Sequence, residues 1–272
     1  MLGLFFPNRS TQTVTLGSWL AALPASNVGT SDITEVARST DDATASTKFC
    51  VNLGAAYALR AFALVNHNLS SAAQWRILLG TTAGASDVYA GSLADWLSAS
   101  FDSSMAALGM QDAEYLRDGT PAIIVLPTTY SARYVTVEIS DTSNTDGYVQ
   151  IGRFFAGGGF VPTYNATYGL QDGWVDLSTR DRSESGALWT TARRRLRKVQ
   201  MVLEALSLDE GSTLHEMQRV LGTIDEVLYV PDLTDMAWSQ RYGMLGTIEE
   251  MSELAYPFYR KRRLPLVITQ KG

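Results

Sequence analysis

Residues 48–79, KFCVNLGAAYALRAFALVNHNLSSAAQWRILL, decide the fold class of this chain, because apolar residues recur at every second position along most of this stretch. The alternation runs up to Gly54, resumes up to Val65, and resumes again from Trp75 to Leu79. Period-two alternation between short polar segments is typical of strands that bury one face in an antiparallel sandwich. We therefore predict two or three consecutive β-strands, joined by a tight turn at Asn66-His67-Asn68.

Composition limits the classes of protein that fit this chain. It has 272 residues, a formal net charge of −6, 18% charged residues and a single cysteine, Cys50. The acidic balance argues against general nucleic-acid binding, and no apolar run is long enough to span a membrane. One cysteine cannot form an intrachain disulfide, which suits assembly in a reducing cytoplasm. The length allows one large domain or two modest ones.

The glycine triplet Gly157-Gly158-Gly159 marks the predicted domain boundary. Before it, Ala132–Ser140 alternates cleanly, and residues 141–147 (DTSNTDG) carry an Asp-Gly signal for a hairpin turn before a return strand. Three glycines after a strand favour a flexible hinge. We predict domains at residues 1–156 and 160–272, with a tight loop inside one domain as the alternative.

The second half predicts a β-domain with one short helix. Strands are expected over residues 173–177 and 189–206, and closing strands at 242–248 and 264–269. Thr213 and Glu216 match the capping box that starts a helix, and Gly222 supplies its stop. The fold class is therefore mainly β, with a β-sandwich followed by this β-domain.

Candidate catalytic and metal-binding residues are few. His67 could serve catalysis only with a nucleophile or carboxylate that the sequence does not identify, so a role in the turn is the simpler interpretation. Asp141, Asn144 and Asp146 could chelate calcium, but an Asx-rich turn explains them as well. We expect no catalytic residues, no metal and no cofactor, and hence no enzyme.

Two sets of residues are candidate binding surfaces. The basic run could contact phosphates, but its interleaved Leu196 favours a strand whose arginines lie in a subunit interface; its members are Arg193, Arg194, Arg195, Arg197 and Lys198. If the chain instead binds carbohydrate, exposed aromatic residues in the long 81–120 excursion would be the sugar platforms, namely Tyr89, Trp96 and Tyr115.

Two groups of motifs carry a family resemblance. Phe49-x-Val51-x-Leu53-Gly54, the segment 60–70 and the strand ARYVTVEISD at 132–141 resemble galactose-binding-like jelly-roll domains. The combination of HNLS, RYVTVEISD and GYVQIGRFFAG is similar to proteins of the tail modules of long-tailed bacteriophages. The second half, with RRRLRKVQMVLEAL, VLYVPD and YGMLG, looks like the partner-binding β-domain of distal tail (baseplate) proteins.

The resemblance implies a structural virion protein at the tail tip, assembled in the host cytoplasm. It implies a ring of this chain, commonly six copies, that joins the tail tube protein to the baseplate hub and to other tail-tip proteins. Neither a membrane nor a specific nucleic acid is an expected partner. The alternative function is a carbohydrate-binding module for attachment to the host surface.

Overall fold

A computed structural model describes residues 1–10, 14–97, 120–183 and 186–272. Internal contacts divide the chain into two compact units. The first unit contains Met1–Val161 and Leu228–Met244, and the second contains Pro162–Val227 and Leu245–Gly272. The division into domains at residues 1–156 and 160–272 stays a prediction.

Strands are the main regular secondary structure of the described residues and far outnumber helices, which confirms the mainly β prediction. The strand pairings of the first-unit sheet are antiparallel, and so are those of β1 with β10 and β15, of β12 with β13, of β11 with β14, and of β18 with β14, β16 and β17. Within these residues, no helix is both long and apolar enough to cross a membrane. The elements in chain order are β1 Gly3–Phe5, β2 Val14–Thr15, β3 Ala37–Arg38, β4 Phe49–His67, β5 Gln74–Gly80, β6 Tyr89–Ala90, β7 Ala94–Asp95, β8 Ala122–Ser140, β9 Gln150–Gly157, β10 Gly159–Phe160, β11 Gln171–Asp176, β12 Thr179–Arg182, β13 Leu188–Thr191, β14 Arg195–Leu206, α1 Leu208–Leu221, β15 Glu226–Val230, α2 Met236–Tyr242, β16 Met244–Ile248, β17 Ala255–Phe258 and β18 Lys261–Gln270.

The first part of the deciding stretch forms one long strand, β4, where the sequence predicted a break at Gly54, and the last part forms β5. The pairing of β4 with β8 shifts register between Asn52 and Tyr57, and Gly54 has a φ of 83°. A β-bulge takes up extra residues without ending a strand, and a left-handed glycine is common at such a position. The glycine therefore bends the strand instead of terminating it.

The two predicted turns of the first unit connect strands that do not pair with each other. The sheet order is β3-β9-β4-β8-β5-β6, with β2 on β4 and β7 on β5. Strands β4 and β5 both pair with β8, so the segment after His67 crosses β8. Likewise β9 pairs with β4 and β3, so residues 141–147 do not close a hairpin with β8. The hairpin prediction for this segment is wrong.

Three phenylalanines pack inside the largely aliphatic core of the first unit. Phe49, Phe62 and Phe154 are fully buried. The ring centroids of Phe49 and Phe154 lie 5.3 Å apart, edge to face. Burial of each such side chain contributes roughly 1.5–3 kcal/mol. Cys50 is buried on the same strand as Phe49, in agreement with a small core side chain.

The glycine triplet is packed and does not form a free hinge. A Cβ atom at Gly157 would lie 2.8 Å from the Pro7 carbonyl oxygen, and one at Gly158 would lie 2.8 Å from the Ala58 oxygen. At Gly159 a Cβ would overlap the Phe5 ring. These glycines permit close approach of neighbouring backbone, which corrects the prediction of a flexible linker.

The second unit contains the strand order β16-β18-β14-β11, with β17 on β18, and a separate β12–β13 hairpin. The predicted strand at 189–206 is interrupted between Thr191 and Arg195. The predicted strand at 242–248 begins only at Met244, since α2 ends at Tyr242.

Helix α1 begins earlier than predicted and ends where predicted, at Gly222. The capping box is formed by Ser207 and Glu210. The Ser207 backbone N–H donates to Glu210 Oε2 (2.7 Å), and the Glu210 N–H donates to Ser207 Oγ (3.2 Å). Thr213 lies inside the helix and donates its hydroxyl to the Asp209 carbonyl oxygen (2.9 Å). The capping prediction at Thr213 and Glu216 is therefore wrong.

Candidate functional site

The hairpin of β17 and β18 presents three aromatic rings to solvent. Phe258 pairs with Lys261, so Tyr259 and Arg260 form a two-residue turn. Tyr256, Phe258 and Tyr259 are 66%, 76% and 91% exposed. Large apolar side chains that stand together at a protein surface mark binding sites, whereas single exposed ones are ordinary.

These rings surround an open hollow of about 750 Å³ in the second unit. We name it the hairpin hollow, and its lining residues are Leu208, Tyr256, Phe258, Tyr259, Arg260 and Arg262. Its volume falls within the range of small-molecule sites, roughly 300–1,000 Å³. The described residues of its lining combine aromatic rings with two guanidinium groups and include no carboxylate.

The guanidinium of Arg262 has a fixed position in the hollow. Its Cζ lies 4.0 Å from the Tyr256 ring centroid, a cation–π distance. The stem of Arg262 packs over helix α1, since a Cβ at Gly211 would lie 2.7 Å from Arg262 Cγ. The Arg262 group also donates from Nη1 to the Lys261 carbonyl oxygen (3.2 Å). The aromatic ring and the helix together hold this charge at the rim of the hollow.

A second exposed apolar surface lies on the β12–β13 hairpin. Leu188 and Trp189 of β13 are 56% and 70% exposed, and Arg180 and Arg182 of β12 face solvent as well. Arg182 pairs in register with Leu188. This hairpin combines the residue types that are enriched in protein interfaces.

The basic run at 193–198 does not form one continuous charged surface. Arg193 and Arg194 are exposed, and Arg195 approaches Asp176 at 3.9 Å. Arg197 is 6% exposed and binds Asp172 through two contacts, one of them Nε to Oδ1 at 2.7 Å.

Lys198, the last member of the run, donates to Glu249 Oε1 (2.7 Å), and this hydrogen bond lowers the pKa of that carboxyl. The buried ion pair with Asp172 makes Arg197 a structural residue, because a buried charge is costly unless it is paired. This corrects the assignment of Arg197 to an interface.

The predicted sugar platforms do not form a site. Trp96 is 1% exposed, and its indole Nε1 donates to the Ser70 carbonyl oxygen (2.6 Å). A buried ring cannot stack on a ligand, so the assignment of Trp96 is wrong. Tyr89 is half-buried, with its ring 4.9 Å from that of Tyr130. Tyr115 lies outside the described residues.

Sequence reasoning missed the aromatic residues of the β17–β18 hairpin. The signal was present in AYPFYRKRR at 255–263, which holds three aromatic and four basic residues within nine positions. The basic residues stand out in this segment, but nothing local connects the aromatic residues between them with binding. A hairpin turn alone does not reveal whether its aromatic rings point to the core or to solvent.

The His67 ring is enclosed at the end of β4. Its Nδ1 accepts a hydrogen bond from the Leu69 backbone N–H (3.3 Å), and its ring centroid lies 4.8 Å from that of Trp96. Burial lowers the pKa of His67 to about 4, and a backbone contact with Thr120 opposes the shift only partly. The Ser70 hydroxyl and N–H donate directly to Asp141, so the imidazole does not lie between a hydroxyl and a carboxylate as in a catalytic triad.

The carboxylate and amide groups of residues 141–147 are used inside the first unit. Asn144 donates to Asp141 Oδ2 (2.9 Å), and Asn68 donates to Asp146 Oδ2 (2.9 Å). The described residues contain no group of three His, Cys, Asp or Glu side chains that could hold a metal ion. The Asx network ties the segment after β4 to the segment after β8.

Comparison with known proteins finds similar structures but no sequence family. No protein-family model and no curated protein matches the sequence. Carbohydrate-binding domains among solved structures are similar to a little over half of the chain.

Three such domains illustrate the similarity. The family 32 carbohydrate-binding module CBM32-1 of a family 31 glycoside hydrolase from Clostridium perfringens matches 55% of this chain and 96% of that chain, with 14% identity and a TM-score of 0.36. The family 32 module of C. perfringens NanJ, in complex with galactose, matches 57% of this chain and 98% of that one, with 12% identity and a TM-score of 0.39. The lectin domain of Lectinolysin, complexed with Lewis B antigen, matches 56% and 96%, with 14% identity and a TM-score of 0.37.

Proposed function

We propose that this chain is a non-catalytic carbohydrate-binding protein and that the hairpin hollow of the second unit contacts the saccharide. The observation that carries the proposal is the exposure of Tyr256, Phe258 and Tyr259 around an open hollow of about 750 Å³. The proposal keeps the carbohydrate function considered from the sequence and moves it from residues 81–120 to residues 255–262.

The chemistry of the lining suits a sugar. The face of an aromatic ring carries partial negative charge and attracts the C–H groups on one face of a pyranose ring. Guanidinium groups provide several N–H donors but no acceptor, and hydroxyl oxygens accept from them. Arg260 and Arg262 stand beside the rings and can satisfy hydroxyl groups at the edge of a stacked sugar.

The same lining supports binding without catalysis. Hydrolysis of a glycosidic bond ordinarily needs two carboxyl groups on either side of the bond. The described residues that line the hollow include no Asp or Glu side chain. We therefore assign the hollow a role in recognition.

A glycan array followed by calorimetric titration tests the proposal. We expect binding to at least one class of oligosaccharide, and a loss of at least tenfold in affinity for Tyr259→Ala and for Phe258→Ala. Trp189→Ala is the matched control, because Trp189 is also a highly exposed ring of the second unit but lies on the β12–β13 hairpin. Absence of array binding, or equal losses for all three variants, would count against the hollow.

The second candidate function is a structural component of a phage tail tip, as the sequence resemblance implies. The observation that favours it is the β12–β13 hairpin, whose exposed Leu188 and Trp189 accompany Arg180 and Arg182. In this proposal the chain forms a ring, six copies being the expectation, and contacts the tail tube protein, the hub and other tail-tip proteins. Its location would be the virion.

Native mass spectrometry and particle imaging of the purified protein test this second candidate. Closed rings that are lost in a Leu188→Ser, Trp189→Ser double variant would support it. A monomer at every concentration, also in the presence of tail tube protein, would contradict it.

A further inference from the structure

Arg260 and Arg262 of the hairpin hollow differ from the basic side chains of the second unit that form ion pairs, and in this they resemble the exposed Arg180, Arg182, Arg193 and Arg194. Six basic side chains of this unit form ion pairs with carboxylates among the described residues: Arg195, Arg197, Lys198, Arg219, Arg263 and Lys271. Within the same described part of the chain, no carboxylate pairs with Arg260 or Arg262. Their neighbour Lys261 donates to the Ala205 carbonyl oxygen (3.2 Å). The hollow thus concentrates uncompensated positive charge.

The backbone of Arg260 is in the left-handed region. Its φ is 59°, a conformation in which glycine or asparagine is ordinarily favoured over a long side chain. The turn would form at least as well with glycine at this position. An unfavourable backbone conformation at a surface turn points to a use for the side chain it carries.

The guanidinium of Arg262 is oriented before any ligand arrives. The Tyr256 ring stacks against it at 4.0 Å, and Gly211 of helix α1 leaves room for its stem. A planar guanidinium held in this way presents parallel N–H donors that match the two oxygens of a carboxylate, sulfate or phosphate group. The fixed orientation reduces the conformational entropy that binding would otherwise cost.

We infer that the hairpin hollow selects an anionic saccharide, with a sugar ring stacked on Phe258 or Tyr259 and its acidic group bound by Arg260 and Arg262. This inference rests on the proposed carbohydrate function and specifies its ligand class. The acidic group is a carboxylate, sulfate or phosphate, all of which share the charge and the paired oxygens. Charge complementarity is the argument for this occupant over a neutral sugar.

Paired titrations test the inference with the full chain. Trigalacturonic acid and neutral galactotriose are compared by calorimetry in 20 mM and 500 mM NaCl, with sulfated and phosphorylated trisaccharides as further probes. We expect at least tenfold tighter binding of the acidic trisaccharides at low salt, and a loss of most of this preference at high salt because the charges are solvent-exposed.

Arg260→Gly separates the role of the side chain from the role of the turn. This variant should keep or raise the thermal stability, since glycine suits the left-handed position, and it should lose the preference for acidic trisaccharides. Arg263→Gln is the matched control, because Arg263 lies three residues beyond Arg260, on β18, but pairs with Glu204 (3.2 Å); the preference of this variant should be unchanged.

The outcomes distinguish this inference from the proposed function. Equal binding of acidic and neutral trisaccharides would overturn the anionic selectivity and leave carbohydrate binding intact. Absence of binding to every saccharide would overturn both. Tighter binding of poly-glutamate or single-stranded DNA, in competition with trigalacturonic acid, would assign the hollow to a different class of ligand. An Arg260→Gly protein that keeps its acidic preference would also overturn the inference.

Discussion

Aromatic side chains and arginines each serve opposite purposes in this chain, depending on whether they are buried or exposed. Trp96 closes a polar turn inside the first unit, whereas Tyr259 stands almost wholly in solvent. Arg197 is buried and paired with Asp172, whereas Arg260 lies at an open turn. The sequence therefore indicated that aromatic and basic residues could form binding surfaces. It could not show which of these residues face solvent.

The buried His67 should make the stability of the protein depend on pH. Its pKa of about 4 in the folded protein lies below the value near 6.5 of an unfolded chain, so between these pH values the unfolded chain binds more protons. Stability should therefore be full above pH 6.5 and fall as the pH is lowered towards 4. The shift corresponds to about 2 kcal/mol lost between pH 7 and pH 5.

Urea unfolding at pH 7 and pH 5, followed by tryptophan fluorescence, measures this loss. His67→Asn removes the titrating ring, and its stability should change less between the two pH values than that of the unchanged protein. Ordinary carboxyl groups titrate lower, which keeps this window mostly free of them. Equal pH dependence of the two proteins would show that His67 does not cause it.

At the scale of elements, alternation predicted strand positions well but not strand partners. The alternating residues before and after Gly54 belong to β4, and residues 132–140 belong to β8, as expected. The strand partners were missed because the residue types of a polar turn such as 141–147 suit two kinds of connection. Such a turn can close a hairpin, or it can lead to a strand that is not a neighbour. Pairing depends on contacts between strands distant in sequence, which a local pattern does not contain.

Helix α1 has two possible capping boxes at its start. The capping pattern occurs twice, at Ser207 with Glu210 and at Thr213 with Glu216, so the sequence alone could not select between them. The structure has the first box formed. Ser207→Ala should lower the free energy of unfolding by about 1 kcal/mol, because the Glu210 backbone N–H loses its side-chain acceptor, Ser207 Oγ.

Thr213→Ala is the matched control, since Thr213 is exposed and inside the helix. Alanine has the higher helix propensity, so this variant should be neutral or slightly stabilising. Chemical denaturation compares both variants with the unchanged chain. A larger loss for Thr213→Ala than for Ser207→Ala would place the helix start at the later box.

At the scale of the whole molecule, the chain returns to its first unit after building part of the second. Leu228–Val230 pairs with β1, whose other neighbour is β10. The Leu233 N–H also donates to the Met1 carbonyl oxygen (2.8 Å). The sequence could not reveal this return, because VLYV at 227–230 is a short apolar strand that fits either unit. A single cut near residues 157–159 would therefore separate strands that pair.

Truncation tests this arrangement directly. A fragment of residues 1–161 lacks β15, which pairs with one edge of β1. This fragment should melt at a lower temperature and less cooperatively than a fragment that retains β15. The matched fragment joins residues 1–161 to Leu228–Met244 through a short Gly-Ser linker. Such a linker can span the gap, because Phe160 and Leu228 lie on strands either side of β1, roughly 10 Å apart.

Calorimetry compares the two fragments. The linked fragment should show the sharper and higher transition, because it restores the backbone hydrogen bonds of β1 and the buried side chains Leu228, Tyr229 and Val230. A control with Leu228 and Val230 replaced by Ser and Thr keeps the chain length but removes most of the apolar burial. If residues 1–161 alone melt as cooperatively as the linked fragment, the returning segment contributes little and the simple two-part domain division is the better description.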